Sequence, residues 1–351
     1  MGRNPTDAGK ETSLEIAGCG VKTLSVIPSV SVIIITRDRP AAMLRQTLCA
    51  LLRQTLSPLE ILVVDTTPSD IIPALIATEF PKVRILHRPD GPRCMPWSRN
   101  EGIKATNGEV VAFLDDDAIA EPQWLGEIAQ TYGEDATIGG VGGRVIQGVD
   151  LGGNPKEIGE SVATLNWKGF PQADFNCVTK QAVEIEHMIG CNMSFRRSTL
   201  IAVGGFDEYY AGTAIREETD VCVRVRRAGY RLLYNSQAVV DHKMISLLTH
   251  RRVQIESVKS GFPVARMEGY YVAKNFGVAA WLSWYLQSNI HALARATKIT
   301  YMAFARAALG LGGGPVGLVQ AFKHKPKDQH NQILGIRVST DELNTLSQKK
   351  L

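Results

Sequence analysis

The sequence predicts an α/β protein built on a mostly parallel, doubly wound sheet, and three observations lead there. Short β-branched runs recur, such as Val30–Thr36 and Glu60–Asp65. They are too short for typical helices and are bounded by turn residues, the pattern of strands buried on both faces. Segments with apolar residues at helical spacing separate them, as crossover helices in a parallel sheet require. Three strands also end in polar or acidic residues: Thr36, Asp65 and Asp115-Asp116-Asp117. Ligands of such sheets bind beyond the carboxyl ends of the strands, where strand order reverses.

Residues 1–28 are polar and mixed, and read as a loose N-terminal tail. After the first strand, Met43, Leu44, Leu48, Leu51 and Leu52 place a helix over Ala41 to Gln54. A helix near Asp70 to Glu79, a strand at Val83 to His87, a helix at Ser98 to Thr106 and a strand at Glu109 to Leu114 continue the alternation. Periodicity fades over Gly148 to Lys180, where Gly, Pro and Asn predict a long insertion of the kind that forms lids or specificity loops. Order returns at Val183 to Ile189. A helix over Glu217 to Ala228 and strands near Tyr230 and Ala238 complete a catalytic domain spanning 29–245. No internal repeat is visible.

Residues 246–351 read as a basic, mostly helical C-terminal extension. Asn275 to Ala308 has helical spacing and carries Phe276, Trp281, Trp284, Tyr285, Tyr301 and Phe304, interrupted by His291, Arg295, Lys298 and Arg306. Basic residues beside Trp and Tyr suit a helix lying in a membrane interface; the alternative is a hairpin packed on the catalytic domain or on a second subunit. Gly310 to Gly317 reads as a turn or hinge.

The 351 residues carry a net charge of only +4, so nothing overall points to nucleic acid. From Lys243 onward there are 15 Lys and Arg against 5 Asp and Glu, whereas the preceding body has 24 against 30. The basic extension therefore suits an anionic surface or a solvated one. Six scattered cysteines without a CxxC spacing argue for a reducing compartment and against a disulfide framework. With no signal-peptide pattern and no uncharged apolar run of membrane-spanning length, the expected location is cytoplasmic, or peripheral at the inner face of the membrane.

Two segments carry chemistry. Asp115-Asp116-Asp117 fits an Asp-x-Asp metal motif, because hard cations such as Mg²⁺ or Mn²⁺ take carboxylate oxygens and complete their shell with substrate phosphates. Three adjacent carboxylates after a buried strand repel one another unless a cation is bound. Arg216-Glu-Glu-Thr-Asp220 opens an arginine-rich helix. Its acids suit either the helix dipole or a general base, with Glu218 the first candidate, then Glu217, then Asp220. Arg224 reads as part of that helix's solvent face.

In order along the chain stand Thr36-Arg-Asp-Arg39, Val63-Val-Asp65, Arg99-Asn-Glu-Gly102, Phe113-Leu-Asp-Asp-Asp117, Gly190-Cys-Asn-Met193, Gly204-Gly-Phe-Asp207, Glu217-Glu-Thr-Asp220 and Arg227-Ala-Gly-Tyr230. This series, over roughly residues 30 to 245, resembles glycosyltransferase family 2. The resemblance implies a GT-A fold and an inverting, metal-dependent transfer from a nucleotide-diphospho-sugar to a sugar or lipid-linked acceptor. By the same resemblance Thr36 and Arg39 line the nucleotide pocket and Asp65 meets the base or ribose. Asp115 and Asp116 lie on the donor side, Arg99 contacts donor phosphate or braces the acid cluster, and Asp115, Asp117 and His242 hold the metal. Cys191, Asn192 and Asp207 belong to the acceptor side. Glu218 stands where many relatives have the aspartate of a Glu-Asp pair. Arg37-Asp38 departs from the usual tyrosine and asparagine, which leaves base recognition open. A Gln-x-x-Arg-Trp motif is not found, pointing to single addition. Two rival readings are an inactive family member serving as scaffold or sugar-nucleotide sensor, and a nucleotidyltransferase. The second should show a glycine-bearing phosphate loop that Thr36-Arg-Asp-Arg-Pro40 lacks.

Overall fold

A computed structural model describes residues 27–147, 156–157, 162–212, 214–242, 258–296 and 313–323. The expected N-terminal tail lies outside them up to residue 26, as do Tyr301, Phe304 and the chain beyond 323.

Strands β1 (Val30–Thr36), β2 (Glu60–Asp65), β3 (Arg84–His87) and β4 (Val110–Asp115) alternate with helices α1 (Ala41–Leu51), α2 (Ile71–Glu79) and α3 (Met95–Ala105). The neighbours β1/β2, β2/β3 and β1/β4 are all parallel, as the buried apolar runs predict. Then follow β5 (Ala118–Ala120), α4 (Trp124–Glu134) and β6 (Ile138–Gln147), and after short strands β7 to β10 come β11 (Val183–Glu184) and β12 (Asn192–Arg196). Helices α5 (Arg197–Ala202) and α6 (Glu217–Arg227) and strand β13 (Arg231–His242) close the domain. The main sheet runs β11-β13-β6-β12-β4-β1-β2-β3. β12 lies antiparallel to both β4 and β6, so one reversed strand sits inside the expected parallel sheet. The two strands expected near Tyr230 and Ala238 are one strand, β13, with a register shift between Asn235 and Val239. A local irregularity of this kind bends a strand without ending it.

Side chains alternate across β1: Val32 and Ile34 join one core layer, Ile33 the other. The sheet is thus buried on both faces. Because the chain runs β1, β2, β3 to one side and resumes with β4 on the other, the order reverses at β1 and β4. Register aligns the strand ends there, with Thr36 opposite Asp65 and Ile35 opposite Asp115.

The segment expected to be a long insertion is partly ordered. β8 (Ala163–Leu165) pairs with β9 (Pro171–Ala173), and β10 (Cys177–Val178) with β7 (Lys156–Glu157). Residues 148–155 and 158–161 lie outside the described residues.

Val258–Ala296 is helical and broken at Gly277, whose φ of 81° and ψ of −179° fit glycine alone. Met267, Tyr270, Tyr271, Val272, Ala280, Trp281 and Trp284 bury themselves with Tyr210, which lies between α5 and α6 in the chain. Of the two expected arrangements, the described aromatic residues therefore show the packed one. The turn or hinge expected over Gly310 to Gly317 is corrected where it is described: residues 313–323 are helical, and 310–312 lie outside the described residues. Gly314 and Gly317 serve close helix approach rather than a hinge. A Cβ at Gly314 would lie 2.7 Å from the Tyr285 ring, and one at Gly317 would sit 2.6 Å from Tyr270 N and overlap the Arg266 carbonyl. Gly317→Ala is expected to cost about 1–3 kcal/mol of stability, as overpacking of a tight contact does, read as a lower denaturation midpoint.

Candidate active site

The carboxyl end of β4 delivers three acids into three environments. Asp115 is partly exposed, whereas Asp116 and Asp117 are buried. Asp116 accepts a 2.6 Å hydrogen bond from Thr36 Oγ1 and a 3.2 Å bond from Arg39 Nε. Burial pushes its pKa up to about 6, although Arg39 and Thr36 pull the other way. Asp117 pairs with Arg39 Nη2 and lies 3.0 Å from His242 Nε2. Burial raises the Asp117 carboxyl, but these two cations outweigh it and hold the value below the usual range. Four residues singled out by sequence, Thr36, Arg39, Asp117 and His242, thus meet around one acidic turn.

β13 brings His242 there by running antiparallel to β5, with His242 opposite Ala118. Burial alone would depress the imidazole; the bond to Asp117, then Cys191 and the charge of Asp115, push it up to about 11. Its Nε2 is 3.6 Å from Asp115 Oδ2. Its Nδ1 is buried and makes no hydrogen bond of ordinary geometry. Asp115, Cys191 and His242 present ligand atoms all within 4.8 Å of one another. Carboxylate and imidazole suit a divalent cation, and the unsatisfied buried nitrogen is what a coordination site leaves behind, so the donor set fits a metal.

Asp65 is fully buried. Its Oδ1 accepts from the Thr67 amide at 2.9 Å, and its Oδ2 is 2.8 Å from His87 Nδ1. Both oxygens are engaged within the protein, and His87, more exposed, stands in front of it. Asn192 is also wholly interior. It donates to the Arg144 and Ala238 carbonyls at 3.0 and 2.9 Å and accepts from Trp124 Nε1 at 2.9 Å, tying β6, β12, β13 and α4 together.

The three acids of α6 separate cleanly. Glu217 is buried against Arg99. The Arg99 guanidinium lies 5.8 Å from the Phe113 ring and 5.3 Å from Phe206, and a Cβ on Gly190 would be 3.1 Å from its Nη2. Arg99 therefore braces α6 beneath the Gly190-Cys191 turn. Asp220 is completely buried, 2.8 Å each from Lys274, Arg224 and Asn275. Burial raises its carboxyl, but Lys274 and Arg224 prevail and hold it far below the carboxylate range. Glu218 alone of the three is half-buried and reaches solvent.

Arg224 is not on a solvent face. It donates to Asp220 and to the Val203 and Gly205 carbonyls, each of these two at 2.7 Å, fixing the Gly204-Gly205 turn. Asp207, two residues on, accepts from Tyr270 and Lys274, both at 2.7 Å. Lys274, Tyr270 and Asn275 of the extension were not singled out by sequence; a lone Lys in an apolar aromatic run was their only signal.

Residues 31–204 match the family profile described as glycosyl transferase family 2. The chain belongs to that family. A Haloferax volcanii relative, glucosyl-dolichyl phosphate glucuronosyltransferase, is 31% identical over 58% of this chain and 65% of its own length. The O-antigen chain rhamnosyltransferase WbaN of Salmonella anatum is 24% identical over 62% of this chain and 66% of itself. These matches span less than two thirds of either relative. In three dimensions the family member is similar to GalNAc-T7 solved with UDP, GalNAc and Mn²⁺, with a TM-score of 0.51 and 16% identity, over 71% of this chain and 51% of that one. That likeness concerns the fold, which is GT-A. Among the described residues no helix is long and apolar enough to cross a membrane.

Proposed function

We propose that this family member is an inverting glycosyltransferase that moves a sugar from a nucleotide-diphospho-sugar to a hydroxyl of a sugar or lipid-linked acceptor. One observation carries the reading. At the end of β4 Asp117 pairs with His242 beside Asp115, and at the start of α6 the part-exposed Glu218 stands in sequence between Glu217 and Asp220, which are buried in ion pairs with Arg99 and with Arg224 and Lys274.

Asp115, Asp117 and His242 would hold a divalent cation, Mn²⁺ or Mg²⁺, which neutralises the charge developing on the departing diphosphate. Thr36 fixes Asp116 by its short hydrogen bond, and Arg39 offsets the charge of Asp116 and Asp117 at the rim of the crevice. His87, backed by Asp65, borders the pocket where the nucleoside would lie. Glu218 accepts the proton of the acceptor hydroxyl as the oxygen attacks the sugar C1 from the face opposite the leaving diphosphate. Arg99 and Glu217 keep α6 in place for that transfer.

The names of two relatives support the acceptor class: one carries a dolichyl-phosphate-linked sugar, the other an O-antigen chain. A peripheral seat on an anionic membrane suits such substrates. The extension offers exposed Val278, Leu282 and Leu286 on one helix and Val316, Val319 and Phe322 on the next. Its charge balance is strongly basic. Release of nucleoside diphosphate from a panel of donors, with polyprenyl-phosphate-linked sugars in anionic vesicles, tests the proposal. Acceptor-dependent release with an inverted anomeric product supports it; binding of a donor without any turnover, across the panel, favours the scaffold.

The elevated His242 pKa has a measurable sign. An imidazolium held above its unfolded value of 6.5 contributes stability that is full below about 6.5 and lost as pH rises toward about 11. A cation taking that nitrogen must displace the proton. Apparent Mn²⁺ affinity is therefore expected to rise through neutrality by about tenfold per pH unit for each proton the cation displaces, by calorimetric titration. In His242→Gln the slope should flatten.

A further inference from the structure

We infer that Cys191 is a ligand of the cation site, and that its sulfur shifts the site's preference from Mg²⁺ toward softer divalent ions such as Zn²⁺, Co²⁺ and Cd²⁺. The inference rests on the metal reading of the Asp115 and His242 cluster and deepens it.

Register puts the thiol there. Asn192 pairs with Leu114 across the antiparallel β12/β4 ladder, so the residue before it falls opposite Asp115. His242 comes to the same place from β13, opposite Ala118. Three separate strand ends thus converge a carboxylate, a thiol and an imidazole with ligand atoms all within 4.8 Å. Two ligands on opposite sides of one ion lie up to about 4.6 Å apart when each bond is about 2.0–2.3 Å, so a single ion can serve all three after small side-chain shifts.

Buried cysteines usually behave as small hydrophobes. This one is only 2% exposed, yet what it faces is a carboxylate and an imidazole. The second observation is His242 itself, 6% exposed, with a buried Nδ1 that no ordinary hydrogen bond satisfies. A cluster made only for Mg²⁺ would be expected to offer oxygen alone. Thiolate and imidazole together favour borderline metals, and the thiol proton would pass to solvent as the ion binds.

The probe is Co²⁺ alone, titrated into the full chain as wild type, Cys191→Ser, Cys191→Ala and Asp115→Asn, and followed by absorption. The expected result is a near-ultraviolet thiolate-to-cobalt band in the wild type. It should be lost in both cysteine variants, while their visible d–d bands still report bound Co²⁺. Zn²⁺ should displace Co²⁺ at far lower excess than Mg²⁺, and that gap should narrow in Cys191→Ser. Cobalt bound with d–d bands but no thiolate band, or a band that survives in both cysteine variants, overturns the role of Cys191 and leaves the metal site standing. Cobalt that binds no variant, wild type included, overturns the metal reading and the inference with it. Circular dichroism melting of the two cysteine variants separates ligand loss from misfolding. If both are unfolded, the wild-type spectrum and the Zn²⁺ against Mg²⁺ competition decide alone.

Discussion

Glu218→Gln is expected to lower kcat by about 10²–10⁴-fold, the usual contribution of a general base, while donor binding and melting temperature stay at wild-type values. The amide keeps the shape but cannot accept the hydroxyl proton. The side chain is half-buried at the start of α6, whereas Glu217 and Asp220 beside it are buried. Glu217→Gln should behave in the opposite way. It uncouples the buried Arg99 from its partner, and breaking one side of a buried pair costs about 3–5 kcal/mol. The pair of variants therefore separates catalysis from scaffolding: one should lose turnover and keep its fold, the other should lose stability first. A Glu218→Gln enzyme with unimpaired kcat would remove Glu218 from the mechanism.

Lys274→Met should destabilise the protein by about 3–5 kcal/mol, measured by chemical denaturation. Lys274 Nζ lies 2.7 Å from Asp207 and 2.8 Å from Asp220, two carboxylates that are 4% and 0% exposed. Arg224 still neutralises Asp220 when the lysine is gone, so Asp207 is the group left uncompensated, with only the Tyr270 hydroxyl and the Tyr209 amide as donors. Adding Asp207→Asn to Lys274→Met is expected to recover part of the loss. The cluster bonds the Val258–Ala296 helices to α6 and to the Gly204-Gly205 turn, so the extension is part of what holds α6 in place. No recovery in the double variant, or no loss in the single one, would contradict this.

Much of the fold could be read from local pattern because β1, β2 and β4 are buried on both faces and spell that out in Val, Ile and Leu. β6 could not. Its sequence Ile-Gly-Gly-Val-Gly-Gly hides a central strand, since Gly139, Gly140 and Gly143 lie so close to Tyr230, Leu232 and Ala238 that a Cβ would collide. The reason for those glycines is tertiary, and no local propensity records it. The same holds for Gly314 and Gly317, where glycine signals a hinge in sequence but a close helix crossing in space.

At the site, sequence supplied the acidic turn, Arg39, His242 and the α6 acids, because each sits in a short motif at a strand or helix end. It could not rank the acids of α6, since the partners that lock two of them, Arg99 and Lys274, are over 50 residues away. Nor could it show that Cys191 faces Asp115, which depends on strand register. Asn192, read with the acceptor side, turned out to hold the sheet together, a role that needed the positions of Trp124, Arg144 and Ala238.

The central claim is that the acidic turn, through Asp117, binds a nucleotide sugar by way of a divalent cation. Thermal melting of wild type and Asp117→Ala against nucleoside diphosphates and sugar nucleotides, with and without Mn²⁺, tests it most directly. A ligand that binds only the folded state raises the melting temperature, by about 2.7 kcal/mol of stability at a hundredfold excess over Kd. A Mn²⁺-dependent rise with one nucleotide class is expected in the wild type, and none in Asp117→Ala. A wild type that melts at one temperature with every donor, or a rise that survives without Mn²⁺ and in the variant, would contradict it.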